Sequence, residues 1–161
     1  MSGTRHDWAR VAAAAWPGNG SGDRLGRMQG FVDCAWDALA ASGVSWIGFY
    51  LQVPDAPEPE RLVLGPRRNT PACSPIGLHG ACGRCLVSGV PLVVRDVTEL
   101  GANYIACDPR DRSELVLPCW ADCTVWGVLD VDSHEIGCFS EADAEAAAHA
   151  LLAWGLTANA G

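Results

Sequence analysis

The sequence comprises 161 residues, of which 49% are hydrophobic and 19% are charged, and its formal net charge is −8. The length favours one domain with a core, and the composition argues against a disordered chain. The negative charge argues against nucleic acid or anionic membranes as partners and favours a small ligand that carries a positive group. No apolar run reaches the ~18 residues of a membrane span, and the run at residues 11–16 is too short for a signal peptide. We therefore expect a cytoplasmic protein.

The predicted elements begin with a helix and loop over residues 1–22, and the domain proper spans residues 23–158. Asp23 is the predicted N-cap of a second helix, and Gly43 ends that helix. The apolar residues between them recur at helical spacing; they are Leu25, Met28, Phe31, Val32, Ala35 and Leu39.

Two strands and a long irregular segment follow this helix. Residues 44–53 are rich in β-branched and aromatic side chains and predict the first strand. Residues 61–64 predict the second strand, which we expect to end at Gly65-Pro66. Residues 65–81 then form a long irregular segment, and such segments often carry functional residues.

The C-terminal half repeats this alternation, with a short helix over residues 82–87, a strand over residues 91–95 and an irregular segment over residues 96–112. Strands over residues 115–120 and 125–131 form a predicted hairpin around Ala121-Asp122. Ser140 and Asp143 predict the capping box of a closing helix, and its expected buried face comprises Ala147, Leu151, Leu152 and Trp154. The order of elements predicts an α+β domain with a central antiparallel sheet and the N- and C-terminal helices packed on one face.

The eight cysteines include three with positions suited to chemistry. Cys73 and Cys107 lie in the two irregular segments, and Cys82 lies at the end of the first, so we expect accessible thiols. Cys107 is the favoured reactive group, although a nucleophilic thiolate needs stabilisation that the adjacent Asp108 opposes. Three other cysteines lie at or beside apolar positions of predicted elements and are expected in the core; they are Cys34, Cys119 and Cys138.

A zinc site is an alternative use of four cysteines. Cys82 and Cys85 form a C-x-x-C pair, and Cys119 and Cys123 form a C-x-x-x-C pair beside the predicted hairpin turn. Four thiolates would suit structural zinc, but the two pairs lie further apart than in common zinc motifs. We therefore expect no metal.

Three carboxylates are expected on one face of the hairpin. Asp130 and Asp132 are two apart on a strand and so point to the same side. If the turn pairs residue 120 with residue 124, Glu114 lies directly opposite Asp130, whereas a shift by one residue would move Glu114 to the other face. Clustered like charges cost stability unless a cation is bound. The cluster therefore indicates an ammonium or metal site, with a solvated acidic face as the alternative.

Two aromatic residues share a face of the first strand. Trp46 and Tyr50 are four residues apart, and Ile47 and Phe49 occupy the opposite face. Core packing is one interpretation of the pair. The other is a wall around a sulfur-bearing group, because sulfur contacts aromatic rings favourably.

Several short motifs, taken in order, make residues 46–152 resemble the free methionine-(R)-sulfoxide reductases, which are single GAF domains. These motifs are Trp46-Ile-Gly-Phe-Tyr50, Leu62-Val-Leu-Gly-Pro66, Ala72-Cys73, Gly80-Ala-Cys-Gly83, Ile105-Ala-Cys-Asp108, Ser113-Glu114 and Gly127-Val-Leu-Asp-Val-Asp132. The resemblance implies that Cys107 attacks the sulfoxide and becomes a sulfenic acid, that Cys73 condenses with it to a disulfide, and that Cys82 relays the disulfide. This cycle follows the ordinary oxidation sequence of a thiolate.

The resemblance also implies the remaining site residues and the partners. Glu114, Asp130 and Asp132 would hold the substrate ammonium and assist protonation of the sulfoxide oxygen, and Trp46 and Tyr50 would surround the methyl–sulfur end. Thioredoxin is the implied external dithiol reductant, with no bound cofactor, and pairing into a homodimer is common among GAF domains. A non-catalytic GAF domain that senses a small molecule or oxidation is the alternative function, because fold alone does not determine activity.

Overall fold

A computed structural model describes residues 3–15, 22–69, 72–104 and 107–158. The predicted N-terminal loop falls largely on residues 16–21, outside the described residues. The helices are α1 (Trp8–Ala13), α2 (Arg24–Leu39), α3 (Ala81–Ser88) and α4 (Glu141–Ala153), and the strands are β1 (Trp46–Gln52), β2 (Leu62–Arg68), β3 (Leu92–Val94), β4 (Ser113–Ala121) and β5 (Thr124–Ser133). Within these ranges, no helix has the length and apolarity needed to cross a bilayer.

The predicted helix boundaries follow from local hydrogen bonds. The side chain of Asp23 accepts a hydrogen bond of 2.7 Å from the amide of Gly26, which satisfies a free donor at the start of α2. After a short 3₁₀ turn, Gly43 takes a left-handed φ of 105°, and the helical segment ends there. At the start of α4, Ser140 and Asp143 form the predicted capping box.

The five strands form one antiparallel sheet in the order β2-β1-β5-β4-β3. One face packs against α1, α2 and α4 in a core that includes Phe31, Phe49, Leu129 and Leu151. This arrangement confirms the predicted packing of the N- and C-terminal helices on one face. The opposite face carries α3 and the irregular segments, and the predicted site residues Trp46, Tyr50 and Cys82 lie on it.

Strand β2 continues beyond the predicted stop at Gly65-Pro66 and ends at Arg68, so that prediction was wrong. Tyr50 pairs with Leu64 whereas Gly48 pairs with Arg67, so β2 has one extra residue across this interval. Such a bulge leaves a residue outside the ladder, and β2 is also an edge strand, where proline is tolerated because its missing N–H breaks no essential pairing.

Two smaller predictions also need correction. The hairpin turn lies at Asp122 and Cys123, which both have positive φ (48° and 64°), one residue later than predicted. Leu152 is exposed rather than part of the buried face of α4, whereas Leu151 is fully buried. Trp154, also assigned to that face, is buried just beyond the end of the helix.

Candidate active site

A cavity of about 440 Å³ lies between the second face of the sheet and the irregular segments around it. Almost every predicted site residue contributes to its lining, namely Trp46, Tyr50, Cys82, Cys107, Glu114, Asp130 and Asp132. Cys73 is not part of the lining but is bonded to Cys107, which is. The cavity therefore gathers residues from β1, α3, β4, β5 and the segment before β4.

The acidic floor of the cavity is formed by β4 and β5 in a register that differs from the predicted one. Glu114 lies opposite Asp132, and Asp130 lies opposite Val116. The turn lies one residue later than expected, and a bulge between Cys119 and Trp120 adds a second residue of shift. Because side chains alternate with a period of two, this shift of two keeps all three carboxylates on one face.

Burial of these carboxylates favours their protonated forms. Glu114 and Asp130 are buried, and Asp132 is half-buried. Burial raises the pKa of Asp130 well above its usual range, and the charges of Asp132 and Glu114 raise it further. Burial and the charge of Glu114 likewise raise the pKa of Asp132, while a hydrogen bond from Asp130 partly offsets the rise for Glu114. The floor is suited to donating a proton or to holding a cation.

Several buried polar atoms in the cavity wall have no hydrogen-bond partner among the described residues. They are Nε1 of Trp46, Oδ1 of Asp111, Oδ1 of Asp130 and the hydroxyl groups of Ser45 and Tyr104. Buried polar groups in proteins are nearly always paired, so a set of unpaired ones around one cavity indicates a polar ligand. Because the set contains both a donor and an acceptor, the ligand should itself offer acceptors and donors.

The two cysteines from the irregular segments are joined by a disulfide. Cys73 and Cys107 are 34 residues apart in sequence, and their Cα atoms are 5.4 Å apart. The Tyr50 hydroxyl donates a hydrogen bond of 2.9 Å to the carbonyl oxygen of Cys73, which links the aromatic wall to the disulfide. The structure therefore brings the thiol chemistry and the acidic floor to the same cavity.

The remaining cysteines differ from expectation in one respect. Cys82 is buried, so the prediction of an accessible thiol was wrong, because α3 packs this residue against the sheet. Burial and the nearby charge of Asp130 raise the pKa of its thiol. Cys34 is half-buried, whereas Cys119 and Cys138 are buried, in keeping with their assignment to the core.

The four-thiolate zinc cluster, considered as an alternative use of the cysteines, does not form among the described residues. Cys85 and Cys119 are buried, whereas Cys123 is exposed in the hairpin turn. The groups with metal-like spacing within those residues contain at most one cysteine; they are Cys82, Glu114 and Asp130, and separately Asp108, Asp111 and His134.

A charged cluster at the cavity wall was missed by the sequence reasoning. The guanidinium of Arg110 donates to both carboxylate oxygens of Asp108, at 3.0 Å from Nε and 3.0 Å from Nη2. This pairing, together with a contact of 3.3 Å from Nε2 of His134, lowers the pKa of Asp108 to about 2. Asp111 lies beside the cluster, and burial together with the charge of Asp108 raises its pKa to about 7.

A sequence signal for this cluster existed. The amide of Arg110 donates to the Asp108 side chain, a local turn that Asp-Pro sequences favour. His134 directly follows β5, two residues beyond Asp132, and both residues line the cavity. The charge of Asp108, which we expected to oppose a thiolate at Cys107, is instead paired with Arg110.

Comparisons with known proteins agree with this description, although no protein-family profile matches the chain. The free methionine-R-sulfoxide reductase of Escherichia coli (strain K12) is 37% identical over 102 residues, which cover 62% of this chain and 58% of that protein. The chain spans about three-fifths of the length of the first curated relatives that it matches.

Solved structures match over nearly the whole chain. A free methionine-R-sulfoxide reductase from Neisseria meningitidis, in complex with its substrate, superposes with a TM-score of 0.74 at 28% identity, covering 93% of this chain and 87% of that one. A putative GAF sensor protein from Burkholderia vietnamiensis superposes with a TM-score of 0.79 at 31% identity, covering 91% and 90%.

Proposed function

Because the chain belongs to the GAF-domain family that includes free methionine-(R)-sulfoxide reductases, we propose that it reduces free methionine-(R)-sulfoxide to methionine. One observation carries this proposal: the Cys73–Cys107 disulfide adjoins a cavity with a floor of three carboxylates. The disulfide is the product that a thiol-based reduction would leave. The carboxylates suit a substrate with a positive ammonium and a basic sulfoxide oxygen.

The first chemical step transfers oxygen from the sulfoxide to Cys107. The Cys107 sulfur attacks the sulfoxide sulfur and forms a transient sulfur–sulfur bond. The oxygen then moves to the Cys107 sulfur as the substrate's sulfur–oxygen bond and the sulfur–sulfur bond break, and the thiol proton ends on this oxygen. The products are methionine and a sulfenic acid on Cys107. A protonated carboxyl of the floor donates to the sulfoxide oxygen and makes the sulfur more electrophilic. Asp130 and Glu114 are suited to this role because burial raises the pKa of both. Sulfur is reduced in the substrate and oxidised in the protein.

The second step closes the disulfide. The Cys73 thiol attacks the sulfenic acid of Cys107, the disulfide bond forms, and one water molecule leaves. The hydrogen bond from Tyr50 to the Cys73 carbonyl supports this step because it holds the Cys73 backbone beside the cavity. In the disulfide-bonded protein this contact keeps the Cys73 backbone next to the aromatic wall.

Cys82 is proposed as a later relay and not as the first resolving thiol. Its sulfur lies within 4.8 Å of ligand oxygens of Glu114 and Asp130, and its raised pKa keeps it as a thiol in the substrate-free cavity. Thiol–disulfide exchange requires a thiolate. Cys82 can therefore attack the disulfide only when a neighbouring carboxylate takes its proton.

An external dithiol must complete the cycle, because each turnover consumes two electrons from the two cysteines. We assign this role to thioredoxin, which exchanges its dithiol for the protein disulfide and restores both thiols. A cytoplasmic location would supply this reductant. Two chains would pair through helices into a homodimer, which the proposed reaction does not require.

Selectivity for the free amino acid follows from charge. The ammonium of a free amino acid is a cation, whereas the corresponding nitrogen of a peptide-bound residue is a neutral amide. A floor with three carboxylates stabilises the cation and gains little from the amide. Trp46 and Tyr50, with ring centroids 6.1 Å apart, form the adjoining aromatic wall for the methyl–sulfur end.

Ligand sensing without turnover is the second candidate, favoured by the similarity to the putative sensor from Burkholderia vietnamiensis. Both functions require a ligand cavity, but only the reductase requires that Cys107 be consumed. The two candidates therefore predict different fates for the same thiol.

The test is a single turnover with pre-reduced protein and the separate R and S isomers of free methionine sulfoxide. We expect the wild-type protein to release one equivalent of methionine from the R isomer only, and Cys107→Ser to release none. Cys73→Ser should release one equivalent but should not be recycled when thioredoxin is added. Cys123→Ser is the matched control because this thiol is exposed in the hairpin turn, away from the cavity lining. Full activity of Cys107→Ser would contradict the assigned nucleophile, and ligand binding without methionine release would favour sensing.

A further inference from the structure

The cavity lining is strongly acidic, which raises the question of how an amino acid with a carboxylate could bind there. Six carboxyl groups line it: Asp108, Asp111, Glu114, Asp130, Asp132 and Glu135. A negatively charged ligand group is repelled by such a wall unless a cation is close to it. The sequence contains no lysine, and among the described lining residues Arg110 is the one arginine.

Arg110 has unused hydrogen-bonding capacity. A guanidinium carries five N–H donors, of which Asp108 accepts one from Nε and one from Nη2. The other three have no acceptor among the described residues. The side chain is 65% exposed, whereas that of Asp108 is 13% exposed, so the guanidinium is accessible to a ligand although its partner is largely covered.

The pairing with Asp108 also orients the guanidinium. Two parallel hydrogen bonds define the plane of the group, and a third, from the Arg110 amide at 3.0 Å, ties its backbone to the same carboxylate. Nε2 of His134 lies 3.3 Å from Oδ2 of Asp108, the oxygen that also accepts from Nη2 of Arg110. An oriented guanidinium with free donors is the usual partner of a carboxylate, because its planar fork matches both oxygens.

We infer that Arg110 binds the α-carboxylate of the free amino-acid substrate and is a specificity-determining residue, with Asp108 as its positioning residue. This inference rests on the proposed function and deepens it. The ammonium is directed to the acidic floor and the carboxylate to Arg110, so the two ends of the zwitterion are recognised by opposite charges. A residue inside a peptide lacks both charges and would be rejected at both ends.

The test compares the kinetics of L-methionine-(R)-sulfoxide with those of its α-carboxamide, which lacks the negative charge. Both are assayed at about pH 6.5, below the ordinary α-amino pKa of about 7.7–8.0, so that both carry an ammonium. Arg110→Gln should lower kcat/KM for the acid about tenfold, mainly through KM, and leave the amide nearly unchanged. Arg110→Lys should recover part of the loss, because it keeps the charge without the planar fork.

Arg112→Gln is the matched control, since it removes the same charge two residues away on an exposed side chain outside the cavity lining. It should alter neither substrate. An equal loss for acid and amide in Arg110→Gln would indicate a disturbed loop, and no loss for either would exclude a contact; both results overturn the inference.

Failure of the proposed function can be recognised separately. If the wild-type protein releases no methionine from the acid, calorimetric binding of the acid and the amide to Cys107→Ser, with and without Arg110→Gln, decides the question. A preference for the acid that disappears with Arg110 upholds the inference. The absence of binding, or a preference that survives the substitution, overturns it.

Discussion

Replacing Tyr50 by phenylalanine removes one hydroxyl that joins the aromatic wall of the cavity to the Cys73 segment. That hydroxyl donates a hydrogen bond of 2.9 Å to the carbonyl oxygen of Cys73. The buried ring and its contact with Trp46 are retained by phenylalanine. We expect methionine release in a single turnover to keep its rate, and disulfide closure between Cys73 and Cys107 to slow.

The expected size of the effect follows from this single hydrogen bond. A neutral hydrogen bond contributes about 0.5–1.5 kcal/mol, which corresponds to a factor of about 2–13 in the population it stabilises. Cys73 is half-buried, so water can partly satisfy its carbonyl once the hydroxyl is gone. The lower part of the range applies, and closure should slow by about two- to fivefold.

The assay mixes reduced protein rapidly with one equivalent of the R sulfoxide and stops the reaction with acid at successive times. Methionine and alkylated thiols are then measured separately by mass spectrometry, which resolves the first step from closure. Tyr104→Phe is the matched control, because that hydroxyl lines the same cavity and has no partner among the described residues. It should leave the closure rate unchanged.

Two results would refute the reasoning. An unchanged closure rate in Tyr50→Phe would mean that the hydrogen bond does not position Cys73. An equal slowing of both steps would mean that the hydroxyl acts on the substrate and not on the resolving thiol. A selective effect on closure would support the link between the aromatic wall and the disulfide.

The remaining predictions concern the acidic floor and the packing of α3. Burial raises the folded-state pKa of Glu114 and Asp130. The folded state therefore binds more protons than the unfolded chain, and the free energy of unfolding should fall as the pH rises above about 4. Glu114→Gln should therefore raise the free energy of unfolding at pH 8 by about 1–3 kcal/mol, and by less at pH 4. The same substitution should lower kcat/KM by about a hundredfold or more. Urea titrations at the two pH values test the sign of the stability effect, and equal effects at both would contradict the reasoning. Gly83→Ala should destabilise the fold by about 3 kcal/mol or more, because its Cβ would lie 2.2 Å from the Cα of Leu78. Gly3→Ala, which meets no atom within 4 Å, is the control in thermal unfolding.

The faces of the elements were predictable because they depend on local periodicity. Trp46 and Tyr50 lie on the cavity side of β1, and Phe49 lies on the helix side, as the alternation of a strand requires. The capping box at Ser140 follows equally from residues three apart. Local rules failed at Gly65-Pro66, where the edge position of β2 and its bulge allowed the strand to continue.

The contacts between elements were harder to predict. The pairing of Glu114 with Asp132 depends on a bulge near Cys119 that no local pattern signals. Burial of the Cys82 thiol depends on how α3 packs against the sheet. The position of Arg110 depends on its pairing with Asp108, which His134 also contacts. Each involves groups whose approach is set by the whole fold.

The sequence by itself determined the α+β class, which residues within one strand share a face, and the set of thiols and carboxylates available for chemistry. These properties follow from composition and from the fixed periods of helices and strands. Only the tertiary structure decided which of these groups meet: the Cys73–Cys107 bond, the register of the acidic floor and the Arg110 cluster. The reason is that turn position, bulges and helix packing determine distances between residues far apart in the chain, whereas sequence periodicity determines only directions.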